Sequence, residues 1–131
     1  MVKEVRWRYL IIHIHSPLNL KGEDLSDILR KHFRSFLGIY GLSKHPFKIV
    51  AYNELSKIGI LKCPHNSLTM IRAAIALLSS TRDGPLAAHV VRVSGTLKKA
   101  RSIANRFAEK LKSYLEELES GMKKPSQATE T

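Results

Sequence analysis

Where a strand-like pattern gives way to a helical one, Ser94-Gly95-Thr96 is followed by Lys98, Lys99, Arg101 and Arg106 with no acid among them. The first amides of a helix lack intrahelical acceptors, and the helix dipole there favours anions. A glycine lets a second backbone approach closely. Residues of this kind in this order can hold a phosphate. Cations at a helix N-terminus oppose the dipole preference by a few tenths of a kcal/mol each, and a local rule broken this consistently points to a use. The plainer reading is a strand-to-helix turn capped by Thr96.

Arg30, Lys31 and Arg34 form a second cationic group, explained equally by nucleic-acid contact and by a solvated helix face. Arg6 and Arg8 alternate with Trp7 and Tyr9, a mixture that can stack on or grip RNA, although two aromatics on one strand face also pack under a covering helix. His13 and His15 share a strand face, and Cys63-Pro64-His65 offers two more ligands. Zinc favours four well-spaced ligands, usually with several thiolates, so these read as partly buried or surface histidines, with no metal site. A metal-dependent nuclease needs clustered carboxylates. Asp24 and Asp27 share a helix face but open the helix, where the dipole explains them. No nucleophile–base pair stands out either, so no catalytic residue is assigned.

The elements that must position these groups follow from periodicity. Val5–Ile14 is β-branched and aromatic on both faces, with Trp7, Tyr9, Ile11 and His13 opposite Arg8, Leu10, Ile12 and Ile14, which predicts a central strand covered on both sides. Gly22–Tyr40 carries a helical stripe from Leu25 to Tyr40, with Gly41 as its stop. Pro46–Glu54 and Lys57–Cys63 make a hairpin around Leu55 and Ser56, and Asn66 or Ser67 caps a helix reaching Leu78. Arg82–Pro85 is a turn, and Leu86–Ser94 a fourth strand with Val90 and Arg92 facing away from His89, Val91 and Val93. A last helix runs from about Thr96 to Leu118, its apolar positions spaced alternately three and four apart; residues 120–131 read as a disordered polar tail beyond a single domain of residues 1–119.

The order β-α-β-β-α-β-α predicts an α+β fold, the ferredoxin-like (RRM-like) plait with a four-stranded antiparallel sheet and an added C-terminal helix. The first half of that helix should pack on the chain's own sheet, and the part from Leu111 onward should meet another protein. An RNA-recognition motif stacks bases on aromatics of its first and third strands, but Lys57–Cys63 has no aromatic residue. Recognition of RNA shape and phosphates fits better than base reading on the sheet.

The chain has 131 residues, with 22 Lys and Arg against 11 Asp and Glu, a formal charge of +11. Both halves are basic (11 against 5 up to residue 66, 11 against 6 beyond it), which belongs to a folded basic surface rather than a basic tail. One cysteine, Cys63, cannot close an internal disulfide, and nothing resembles a secretory signal, so a reducing cytoplasmic setting is expected. The apolar stretches are far short of a bilayer span, and no lipid-inserting amphipathic segment stands free of the fold, so nucleic acid is expected ahead of a membrane as partner.

Arg8-Tyr9-Leu10, Leu37-Gly38, Gly59-Ile60-Leu61-Lys62, Ala74-Ile75-Ala76-Leu77-Leu78 and above all Arg92-Val93-Ser94-Gly95-Thr96-Leu97-Lys98-Lys99 recur in this order in one family. Over roughly residues 5–110 the chain resembles the archaeal ribonuclease P protein component 2, counterpart of a small subunit shared by eukaryotic ribonucleases P and MRP. The resemblance implies a non-catalytic RNA-binding subunit of the ribonucleoprotein that removes 5′ leaders from precursor tRNA. It also implies ribonuclease P RNA and ribonuclease P protein component 3 as partners, with self-association within a heterotetramer. Mg²⁺ would act on the RNA, and the chain would bind no cofactor of its own. Two other classes remain open from the residues alone. One is a protein-interaction module of the same fold whose basicity is incidental; the other is a metal-dependent nuclease.

Overall fold

Strand β1 (Trp7–His15) buries Leu10, Ile11, Ile12 and Ile14 on alternating faces and takes the centre of a four-stranded antiparallel sheet. The computed structural model describes residues 5–17, 20–78, 80–81 and 84–123. Helix α1 (Gly22–Lys44) follows, then β2 (Lys48–Asn53), β3 (Ile58–Pro64), a 3₁₀ turn (His65–Ser67) and α2 (Leu68–Ala76). Two short strands, β4 (Ser80–Thr81) and β5 (Gly84–Pro85), pair with each other before β6 (Ala87–Ser94) and α3 (Leu97–Lys123). The sheet order is β2-β3-β1-β6, the expected plait. Arg82 and Asp83, read as part of a turn, lie outside the described residues.

Two apolar layers form because β1 is apolar on both sides. On one side Leu10, Ile12 and Ile14 meet Leu25, Leu29 and Phe33 of α1 and Ile71, Ala74 and Ile75 of α2. On the other, Ile11, Ile58 and Ile60 meet Ala100, with Leu97, Ile103, Ala104 and Phe107 of α3 packed around them. The first half of α3 therefore covers the second sheet face. Beyond it Tyr114, Leu115 and Leu118 are about half exposed.

Three local expectations are corrected. The helical stripe of α1 predicts a stop at Gly41, but the break falls at Gly38, whose φ of +76° only glycine adopts readily. The kink takes Tyr40 off the buried stripe, and the helix resumes to Lys44. In β6 the simple alternation fails, because the pairing register shifts between Ile11 and Ile12: Ile11 faces Arg92 while Ile12 faces Val90. Val91 is the extra, bulged residue, so Val90 and Val93 both reach the α1–α2 side, whereas Val91 turns toward α3. At the C-terminus, residues 120–123 continue α3 instead of opening a tail; residues 124–131 lie outside the described residues.

Candidate nucleic-acid interface

β1 begins, β6 ends and α3 begins at the same end of the sheet. Register makes this explicit: Lys48 pairs with Lys62, Lys62 with Tyr9, and Tyr9 with Ser94, one row across all four strands. At about 4.8 Å per strand the row spans about 14 Å. Lys62 Nζ stands 4.3 Å from the centre of the Trp7 ring, a cation–π contact, and Trp7 remains 40% exposed. Lys48 and Lys62 carry no signal in the sequence, because only the register places them in the row that ends at Ser94.

The Ser94-Gly95-Thr96 turn divides its labour. The buried Ser94 hydroxyl donates to the Thr96 carbonyl oxygen (3.1 Å) and accepts from the Thr96 N–H (3.3 Å). Thr96 Oγ1 accepts from the Lys99 N–H at 3.2 Å, and the Thr96 carbonyl accepts from the Ala100 N–H. Thr96 is thus the N-cap. The amides of Leu97 and Lys98 are left as the first two of the helix, without intrahelical acceptors. Gly95 is exposed; a Cβ there would meet only Arg8 Nη1, at 3.8 Å, and its φ is not positive. Neither strain nor crowding requires glycine at this position. Arg8 sits against the same turn, its Nη1 donating to the Trp7 carbonyl oxygen at 3.0 Å.

Lys98, Lys99, Arg101 and Arg106 are all exposed, and none has a carboxylate partner among the described residues. They do not form one cluster. Helical period sends Lys98 and Arg101 to the flank of α3 beside β2 and β3, where Arg101 lines a groove with Tyr52, Ile58 and Asn105. Lys99 and Arg106 fall on the opposite flank, where Arg106 lines a groove with Arg92 and Lys110. Arg30, Lys31 and Arg34 are exposed on α1, which covers the other face of the sheet, so they are not continuous with the α3 cations.

Asp24, weighed above as a possible metal ligand, accepts a hydrogen bond from the Lys21 N–H at 3.3 Å and so helps to cap α1. Cys63 is buried in the α1–α2 core, and burial pushes its thiol up to about 11. It does not meet His65, whose Nδ1 contacts the Arg6 carbonyl oxygen. His13 and His15 are instead joined by His89, which the sequence reading left out because only β1–β6 pairing brings it in. Burial foremost, then His15, His89 and Lys57, pushes His13 down to about 4; burial and then His15 also lower His89.

Residues 8–105 match the model of the Rpp14/Pop5 family. Among curated proteins the chain is similar to ribonuclease P protein component 2 of three archaea. Identity to the Saccharolobus solfataricus protein is 25% over 96 residues, covering 73% of this chain and 67% of that one. For Methanocaldococcus jannaschii the values are 28% over 94 residues, 72% and 69%; for Methanosarcina barkeri, 30% over 93 residues, 71% and 67%. In fold, the chain is similar to one in the cryo-EM structure of yeast ribonuclease MRP, with a TM-score of 0.61 at 16% identity, covering 94% of this chain and 98% of that one.

Proposed function

The chain belongs to the Rpp14/Pop5 family, and from that premise we propose that it is a non-catalytic, RNA-binding protein subunit of ribonuclease P, supporting the catalytic RNA in removing 5′ leaders from precursor tRNA. One observation carries the RNA-binding half: along one end of the sheet Lys48 and Lys62 stand in the same row as Ser94, Arg8 lies against the turn, and Lys98 and Lys99 open α3, with no carboxylate partner among the described residues. Phosphates are the complement of such a surface, and the open amides of Leu97 and Lys98 add directed donors. Gly95, free of any steric demand for glycine, keeps that backbone approachable. Ser94 and Thr96 act from behind, shaping the turn. Arg101 and Arg106, on opposite flanks of α3, extend contact to either side, and Arg30, Lys31 and Arg34 serve a separate strand of a folded RNA.

The chemistry follows from charge. Cations that neutralise crowded phosphates let the RNA fold compactly and hold its own Mg²⁺ at lower concentration. The carboxylates supply no counterpart: Asp24 is used in a helix cap, and the late acids lie along the exposed half of α3. The protein partners are ribonuclease P protein component 3 and a second copy of this chain, met through the half-exposed Tyr114, Leu115 and Leu118.

Reconstitution tests the proposal. The chain, added with its partner protein to the catalytic RNA of the same genome, should lower the Mg²⁺ needed for precursor tRNA cleavage, and alone should cleave nothing. Cleavage by the protein alone would overturn the non-catalytic assignment. Tight partner binding with no RNA retention at physiological salt would favour an interaction module instead.

A further inference from the structure

Among the described residues, one set of metal-ligating side chains converges, at the far end of β1 from the cationic turn: His13 and His15 on β1 and His89 on β6. Strand geometry dictates the meeting. Residues two apart on a strand share a face about 6.7 Å apart, and a residue directly across an antiparallel pair stands about 5 Å away. His13 pairs with His89, and His15 lies two residues further along β1, opposite Ala87. The three imidazoles thus occupy the corners of a triangle, with ligand atoms all within 4.8 Å of one another. His15 Nε2 is 2.7 Å from His89 Nδ1, and the Phe107 ring sets its edge against His13 at 5.4 Å between centres. The remaining three histidines are engaged singly: His32 with the Ala74 carbonyl oxygen, His45 with the Ser67 hydroxyl, His65 with the Arg6 carbonyl oxygen.

Three imidazole nitrogens around a tetrahedral ion with bonds of about 2.0–2.1 Å stand about 3.3 Å apart. The 2.7 Å pair must open slightly and the widest pair must close, and rotation of the exposed His15 and His89 side chains suffices for both. Imidazole suits zinc, copper and nickel, and a set without oxygen donors does not suit Mg²⁺ or Ca²⁺. We propose that His13, His15 and His89 form a three-imidazole site for a divalent transition metal, Zn²⁺ by class, with a fourth position open to solvent, tying β6 to β1. The site stands apart from the RNA-binding reading and departs from the expectation that the chain binds no cofactor.

The test uses the full chain without an affinity tag, stripped of metal and titrated calorimetrically with Zn²⁺, with Co²⁺ as the spectroscopic probe. One equivalent of Zn²⁺ should bind and raise the unfolding midpoint, and Co²⁺ should give the visible bands of a four-coordinate ion. His15→Ala and His89→Ala each remove a ligand and should weaken binding by at least the roughly 10–100-fold lost with an outer-shell partner. His65→Ala should leave it unchanged. Should either alanine variant lose its circular-dichroism signature, His15→Gln, which removes the imidazole but keeps a polar side chain, takes its place. Undiminished affinity in the ligand variants, equal loss in His65→Ala, or no binding to the native chain would each overturn the site.

Discussion

Replacing Lys98, Lys99 and Arg101 together by Ala should change how RNA affinity depends on salt, not only its value. All three side chains are exposed and have no acidic partner among the described residues, so no ion pair among those residues is lost. Each neutralised phosphate contributes about −0.9 to the log–log slope on a duplex, so three lost contacts flatten it by about 2.7 units. Between 50 and 200 mM salt this corresponds to about a 40-fold narrowing of the affinity gap between the native chain and the variant. The assay is a filter-binding or anisotropy titration of the catalytic RNA at four or more salt concentrations. Arg30→Ala, Lys31→Ala and Arg34→Ala combined remove an equal charge from the opposite side of the molecule and test the separate contact proposed there. An unchanged slope in the α3 variant would remove those residues from the interface.

Four further outcomes test the structure around the site. Gly95→Ala should keep native stability, since a Cβ there meets only ordinary contact, yet weaken RNA binding; unaltered affinity would show that the backbone is not approached. Gly38→Ala should cost about 1–3 kcal/mol in urea unfolding because a φ of +76° with a ψ of 173° is a backbone region essentially confined to glycine. Ser94→Ala should cost about 1–2 kcal/mol and loosen the turn, since one buried hydroxyl makes both of its bonds. Cys63 should resist iodoacetamide at pH 8 and react once unfolded. Its thiol sits at about 11 against an ordinary 9.0, so the unfolded chain releases the proton first: the contribution to stability is intact below pH 9 and erodes as pH rises toward 11, a dependence that Cys63→Ala should lose.

The layers were legible because β1 is apolar on both faces and α3 repeats every three and four residues; those patterns leave few ways to bury Ile11 and Ala100. Local backbone detail was not. Gly38 and Gly41 are equally glycine on paper, and only packing decides which adopts positive φ; a Cβ at Gly41 would instead stand 2.9 Å from the Leu37 Cβ. The bulge at Val91 is invisible to alternation, which assumes a constant period of two. The same limit hid the site's remaining members. Lys48, Lys62 and His89 acquire meaning from cross-strand register, a relation between residues 14 to 76 positions apart, whereas Lys98 and Lys99 declare themselves by breaking a rule within one helical turn.

Covering the sheet with α3 decides what kind of contact the proposed RNA binding can use. A plait that stacks bases on its sheet needs that face open, but here Ile11, Ile58 and Ile60 are buried beneath Ala100, Ile103 and Phe107. Exposing the three isoleucines alone costs about 5–9 kcal/mol at 1.5–3 per side chain. A stacked base returns about 1–3 kcal/mol, and an isoleucine surface offers no aromatic partner for it. Two or three bases therefore do not offset the loss of α3. Trp7 at the rim stays accessible, and Lys62 already stands over it. The proposed RNA contact therefore belongs not on the face of the sheet but at its end, where the chain presents ammonium groups and the first two amides of α3. Contacts of that kind read phosphate spacing and shape, the features that a folded RNA keeps when its bases are paired.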